Sequence, residues 1–150
     1  MSPTVRPATI DDANTISGFQ IAMALETEEK TLDPLIVKSA VAAVFEDKSR
    51  GFYLVGEIEG KVVGSLLVTY EWSDWRNSNM WYIQSVYVEQ VNRGRGVFRK
   101  LYQRVMDLAR NQNVMCVRLY VEVKNDKAQR IYESLGMKKM PYFMYDVKVE

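Results

Sequence analysis

The residues VNRGRGVFRKLYQR, positions 91 to 104, hold five cations, two glycines and no acid. Glycine is a poor helix former, yet Arg93-Gly94-Arg95-Gly96 leads straight into a helical pattern. Glycines at a strand-to-helix junction let the chain turn sharply and let a ligand approach the backbone. The first-turn amides of the helix that follows lack internal partners and carry the positive end of its dipole. That combination holds an anion, best a phosphate or pyrophosphate, with Arg93, Arg95, Arg99 and Lys100 adding charge. The plain alternative is a turn ahead of a solvated basic helix. No Gly-Lys-Ser/Thr follows, so this is no P-loop, and a third glycine for a dinucleotide fingerprint is missing.

The remaining composition narrows the chemistry. There is no histidine, which excludes His-dependent triads, and Cys116 is the single cysteine, so the sequence offers no internal disulfide and no metal-ligand set. The formal net charge of +1 gives no global field for nucleic acid or anionic lipid. The start MSPTVRPATIDDA lacks the apolar stretch of a signal peptide. The longest greasy region, PLIVKSAVAAVFED, is too short to span a bilayer, so a cytoplasmic protein is expected.

The elements that must position the glycine-arginine junction follow from periodicity. A short extended TVRPAT leads to Asp11 or Asp12, either able to cap a helix with Ile16, Phe19, Ala22 and Met23 on one face. A second helix is expected from about Pro34 to Glu46. GFYLVGEI and KVVGSLLVTYE read as strands joined by a tight turn at Glu59-Gly60. WYIQSVYV is a third, after the tryptophan-rich loop EWSDWRNSN. Past the glycines, Val97, Leu101, Val105 and Leu108 keep helical spacing. VRLYVEV alternates as a strand, Asn125 caps a helix with Ala128, Ile131, Tyr132 and Leu135 on its apolar face, and Gly136 ends it. YFMYDVKV is expected to close the fold as a strand. With no repeat or linker, one domain over 1–150 is expected.

Two spacings together resemble the GNAT superfamily of acetyl-CoA-dependent N-acetyltransferases. One is V-(five residues)-G-x-G from Val88 through Gly94 and Gly96; the other is N-x-x-A-x-x-x-Y-x-x-x-G-[FM] from Asn125 to Met137. VRPATIDDA is similar to the family's opening strand and helix, so the likeness covers nearly the whole chain. It implies an α/β (α+β) fold: a mixed, mostly antiparallel sheet of six to seven strands, flanked by about four helices, with splayed central strands. It further implies that pantetheine bonds main-chain groups around Val86, Tyr87 and Val88. The pyrophosphate would meet amides from Arg93 to Val97, Asn125 would contact the cofactor arm, and Tyr132 would lie near the sulfur. The chain departs from the family at Val91, where Gln or Arg is common, and at Phe98, where Gly or Ala often stands. A cradle of backbone amides survives both changes.

Acetyl transfer to an amine needs a neutral nitrogen, a polarised thioester carbonyl and a proton for the departing thiolate. An alkyl ammonium has a pKa of roughly 10.4, so little free amine exists at pH 7. Amides near Val86 and Tyr87 could serve the oxyanion. Tyr132 matches the family's proton donor, although its place on an apolar face also suits a core residue. Many relatives carry an acid where this chain has Gln84 and Ser85, and glutamine cannot take a proton. Deprotonation must then run through water, through an acid elsewhere, or matter little because the acceptor's pKa is low; Glu26, Glu28 and Glu71 are candidate acids, each also readable as a solvated carboxylate. The resemblance implies that the acceptor sits between the first helices and the sheet, opposite the cofactor, lined here by MALETEEK and EWSDWRNSNMWY. Glu26, Glu28, Glu71, Trp72 and Trp75 there suit a cationic amine, whereas tryptophans pinned on a core or a dimer interface are the plain reading. Arg76 would instead suit an acceptor carboxylate.

The sequence therefore points to an N-acetyltransferase acting on a small amine by direct attack in a ternary complex, with acetyl-CoA as co-substrate. No metal, nucleic acid or membrane is implied. The alternatives are a protein or peptide N-acetyltransferase and a non-catalytic acyl-CoA-binding sensor. A homodimer is the family's habit.

Overall fold

The computed structural model describes residues Met1–Glu150, which fold as two compact units, Met1–Leu119 and Tyr120–Glu150. The first unit holds one five-stranded sheet in the order β1-β2-β3-β4-β5. Its strands are β1 (Thr4–Pro7), β2 (Phe52–Ile58), β3 (Lys61–Ser73), β4 (Ser78–Val88) and β5 (Val117–Leu119). The first three pairings are antiparallel and β4 meets β5 in parallel, so the sheet is mixed. Two helices, α1 (Ala13–Glu28) and α2 (Pro34–Glu46), lie between β1 and β2 in sequence, and α3 (Val97–Asn111) joins β4 to β5.

The two faces of this sheet have separate cores. Leu54, Leu66, Val68, Trp81 and Ile83 meet Val97, Leu101, Val105 and Ala109 of α3 on one side. On the other, Tyr53 and Val55 meet Ile16 of α1 and Val37 and Val41 of α2. Alternation along β2 and β3 therefore feeds both layers, as strands buried on two faces require. The α3 stripe is buried as its spacing predicts. Pro34 sits in the first turn of α2, whose cap Asp33 accepts from the Leu35 amide at 2.9 Å. Glu59 and Gly60, at φ of 52° and 78°, make the expected hairpin turn.

Asp12 stands at the head of α1 but does not cap it with its side chain. It accepts from the Thr9 amide at 2.8 Å and takes the Arg6 guanidinium in two bonds of 2.8 and 3.0 Å. Arg6 also pairs with Glu57 at 3.2 Å, tying β1, β2 and the start of α1 together.

The second unit contains α4 (Asp126–Ser134), capped by Asn125 as expected, its Oδ1 accepting from the Ala128 amide at 3.1 Å. The sheet has five strands rather than six to seven, because YFMYDVKV forms no strand. Its alternation is strand-like, but a strand exists only where a neighbouring backbone completes the ladder. Tyr142, Phe143, Tyr145 and Val147 are exposed instead. VRLYVEV contributes only its first three residues to the sheet.

Candidate active site

The site begins with an irregularity in β4. Leu67 pairs with Gln84 and Ser65 with Tyr87, so two residues of β4, Ser85 and Val86, stand opposite the single Leu66. Ser85 has φ of 53°, a left-handed value unusual for a side chain with Cβ. This β-bulge reverses the side-chain alternation. Ile83 and Val86, three residues apart, both pack with the α3 core, while Tyr87 lies against Phe19 of α1, ring centres 5.3 Å apart. The parallel ladder with β5 runs through Trp81, Tyr82 and Ile83 and ends there, whereas β4 continues to Val88. Main-chain groups from Gln84 to Val88 thus lie beyond the β5 ladder and next to the bulge.

Beyond β4 a short 3-10 turn, Gln90–Asn92, brings the chain to the glycines. Gly94 and Gly96 take φ of 79° and 83°, and a Cβ at either would meet no atom within 4 Å. The glycines are needed for backbone conformation, and the space above them is open. Gly96 is the N-cap of α3, no side chain caps that helix, and its first turn contains no acid. An anion can approach these amides directly, so the residues present fit a phosphate.

Helix α3 is seated by a pair of glycines that sequence patterning did not single out. Gly56 and Gly64 face each other across β2 and β3. A Cβ on Gly56 would lie 2.8 Å from Val97 Cγ1, and one on Gly64 would lie 2.8 Å from the Tyr87 carbonyl oxygen. Their bare backbones let Val97, the first residue of α3, rest directly on the sheet, which fixes the height of the amide cluster. Two glycines inside strands were the available signal.

The basic side chains divide. Arg93 turns back from the glycines: its Nε donates to the Val88 carbonyl at 2.8 Å and its Nη2 to Glu26 Oε1 at 3.1 Å. Its guanidinium carbon lies 5.4 Å from the centre of the Tyr87 ring. Arg95 donates to Asn92 Oδ1 at 2.9 Å, and Asn92 donates to Glu89 at 3.2 Å. Arg99 and Lys100 are exposed and take part in no ion pair.

The expected acceptor residues are only partly gathered. A hydrogen bond from the Tyr87 hydroxyl, then the Arg93 guanidinium, holds the Glu26 carboxyl below its usual range. Burial, then the Glu26 carboxylate, pushes the Tyr87 hydroxyl up. Gln84 donates from Nε2 to Thr69 Oγ1 at 2.6 Å. Glu28 is exposed and pairs with Lys30 at 3.4 Å. Glu71, opposite Met80, and Trp72, opposite Asn79, lie at the other end of β4, seven residues from Tyr87 and roughly 20 Å along the strand. Trp72 donates to Asn77 at 3.2 Å, and Trp75, at 91% exposure, sits in the hairpin loop. The register therefore does not bring the tryptophan hairpin to the Glu26–Tyr87 end of the strand.

In the second unit, Asn125 uses its side-chain oxygen as a helix cap, and burial pushes the Tyr132 hydroxyl pKa up. The phenol is therefore protonated at neutral pH, as an ordinary tyrosine also is.

Comparison with known proteins agrees with this fold. A solved structure of a possible acetyltransferase from Clostridium difficile 630 is 40% identical, covers 100% of this chain and 99% of that one, and superposes with a TM-score of 0.92. A "predicted acetyltransferase with acetyl-CoA" from Clostridium acetobutylicum, 13% identical over 97% of this chain and 96% of that one, has a TM-score of 0.80 and shares the fold. Among curated proteins, the thialysine N-epsilon-acetyltransferase of Bos taurus is 33% identical over 82 residues, 54% of this chain and 48% of that protein. The chain spans about half the length of the curated relatives it matches. The sequence model of the Acetyltransferase (GNAT) family matches residues 19–137, a stretch that runs from α1 through the bulge, the glycine junction and α4, and the chain belongs to that family.

Proposed function

We propose that this protein is an N-acetyltransferase, its two units acting as one domain, that moves an acetyl group from acetyl-CoA to the amine of a small metabolite by direct attack in a ternary complex. The observation that carries the reading is the course of β4: bulged at Ser85, beyond the β5 ladder from Gln84, and running into an uncapped helix start at Gly96. Main-chain groups of Val86, Tyr87 and Val88 would hold the pantetheine arm. The amides from Gly94 to Val97 would hold the pyrophosphate, with Arg99 and Lys100 adding charge. Acetyl-CoA supplies an activated acyl group on a good thiolate leaving group.

The chain's own residues do the rest. Amides beside the bulge polarise the thioester carbonyl. Tyr132, kept protonated, gives its proton to the departing sulfur. Asn125 caps the start of α4. Glu26, an ionised carboxylate at the end of α1, and Glu28 attract an ammonium group electrostatically. Gln84 orients the acceptor by hydrogen bonding and leaves deprotonation to solvent. Similarity to the thialysine enzymes supports a small amine as acceptor. The exposed segment around Tyr142, Phe143 and Tyr145 is apolar surface that a homodimer would cover.

The test is release of free thiol from acetyl-CoA across a panel of small amines, with thialysine and lysine-containing peptides included. Turnover with small amines exceeding that with peptides supports the reading. Turnover with peptides alone would make this a protein acetyltransferase, and none with any amine would make it a sensor.

A further inference from the structure

Arg93 has the position of a phosphate ligand and the contacts of a strut. Its side chain bonds the last carbonyl of β4 and the carboxylate of Glu26, and lies over the ring of Tyr87. Glu26 belongs to the last turn of α1, so one guanidinium ties the end of a helix to the end of a strand. Arg93 is also the residue immediately before Gly94. The two glycines that follow take left-handed φ values and are intrinsically loose. A loose cradle must be ordered when its anion binds, and that ordering lowers affinity. Fixing the residue at the mouth of the cradle removes part of the cost beforehand.

We propose that Arg93 is a positioning residue. Paired with Glu26, it holds the Gly94–Val97 amides in their binding arrangement, and it does not itself touch the anion. The identity of that anion as the pyrophosphate of acetyl-CoA rests on the function proposed above; the bracing does not. Two features favour bracing over direct contact. Planar guanidinium donors already engage two acceptors in different directions. The exposed Arg99 and Lys100 of the first turn remain for the phosphates. Because Glu26 also stands among the acceptor-side carboxylates, the same pair links the acceptor side of β4 to the cofactor side.

The experiment uses the full chain with Arg93→Met, which keeps the aliphatic stem, with Glu26→Ala, and with both. Hydrogen exchange at the amides of residues 94–97 is measured without cofactor, and acetyl-CoA binding is measured by calorimetry at several salt concentrations. Each single variant is expected to speed exchange at those amides several-fold and to weaken acetyl-CoA about tenfold. The double variant should be no weaker than the worse single one. The salt dependence of binding should stay as in the unmodified protein, because no phosphate contact has been removed. Wild-type exchange in both variants would overturn the proposal. So would a loss of affinity in Arg93→Met, with a shallower salt dependence, that Glu26→Ala does not share. If the unmodified chain fails to bind acetyl-CoA, the proposed function falls, while the exchange measurement still decides the bracing role.

Discussion

Gln84 donates its side-chain amide to the hydroxyl of Thr69 at 2.6 Å, across the β3–β4 ladder and one residue before the bulge. This position of β4 is thus filled by a neutral donor fixed in orientation. Under the proposed function, free amine is supplied by the solvent equilibrium. Gln84→Glu introduces a base at that point, so kcat/KM at pH 7 with an alkyl amine should rise about tenfold or more. The gain should shrink as pH approaches the amine's own pKa. A pH–rate profile identical to that of the unmodified protein would show that deprotonation does not depend on position 84.

Tyr132 should separate chemistry from binding. Tyr132 is the proposed proton donor to the departing thiolate, so Tyr132→Phe should lower kcat about a hundredfold and leave acetyl-CoA affinity within about twofold. Steady-state kinetics beside calorimetry checks both. Equal turnover would return Tyr132 to a packing role on α4.

Gly64 carries the seat of the cradle. Gly64→Ala would place a Cβ 2.8 Å from the Tyr87 carbonyl oxygen and 3.2 Å from Val97 Cγ1, neither of which can move without shifting β4 or α3. A loss of about 1–3 kcal/mol in stability is expected, measured by urea unfolding. Acetyl-CoA affinity should fall in the fraction that remains folded.

Asp12 should govern acid stability. Hydrogen bonds from Arg6, then from Thr9, hold its carboxyl below the usual aspartate range although burial opposes this. A lowered folded pKa means that the stabilisation is complete above the unfolded value, about 3.9, and is lost as pH falls through the folded one. Asp12→Ala removes the bidentate partner of Arg6 but leaves its pair with Glu57, and should cost about 1–2 kcal/mol at pH 7. The difference between variant and unmodified protein should narrow below about pH 4.

The parts legible in the sequence were those decided by local chemistry. The α2 helix starting at Pro34, the Glu59-Gly60 turn, the α3 stripe and the Asn125 cap each depend on residues within a few positions. The Gly94–Gly96 junction was legible for the same reason, since two closely spaced glycines ahead of a helical stripe mark a sharp turn into that helix. The bulge was not, because Ser85 takes a left-handed value without a glycine to announce it, and its register depends on β3. Nor was the role of Arg93, since its partner Glu26 is distant in sequence and charge alone cannot separate a strut from a ligand. The tail around Tyr142–Val149 alternates like a strand, but pattern supplies only one side of a ladder. The family resemblance puts the tryptophan hairpin beside Glu26, whereas strand register puts Glu71 and Trp72 at the opposite end of β4.

The most direct test of the account is calorimetric titration of the unmodified protein and Gly94→Val with acetyl-CoA, with ADP for comparison. Acetyl-CoA should bind the unmodified protein more tightly than ADP, because β4 beyond Ile83 adds main-chain contacts to those of the amide cradle. Gly94→Val forces a β-branched residue to φ of 79° and should weaken acetyl-CoA by at least tenfold while the protein stays folded. Absence of acetyl-CoA binding at millimolar concentration, or equal binding by a folded Gly94→Val, would contradict the assignment of β4 and the Gly94–Val97 amides as the cofactor site.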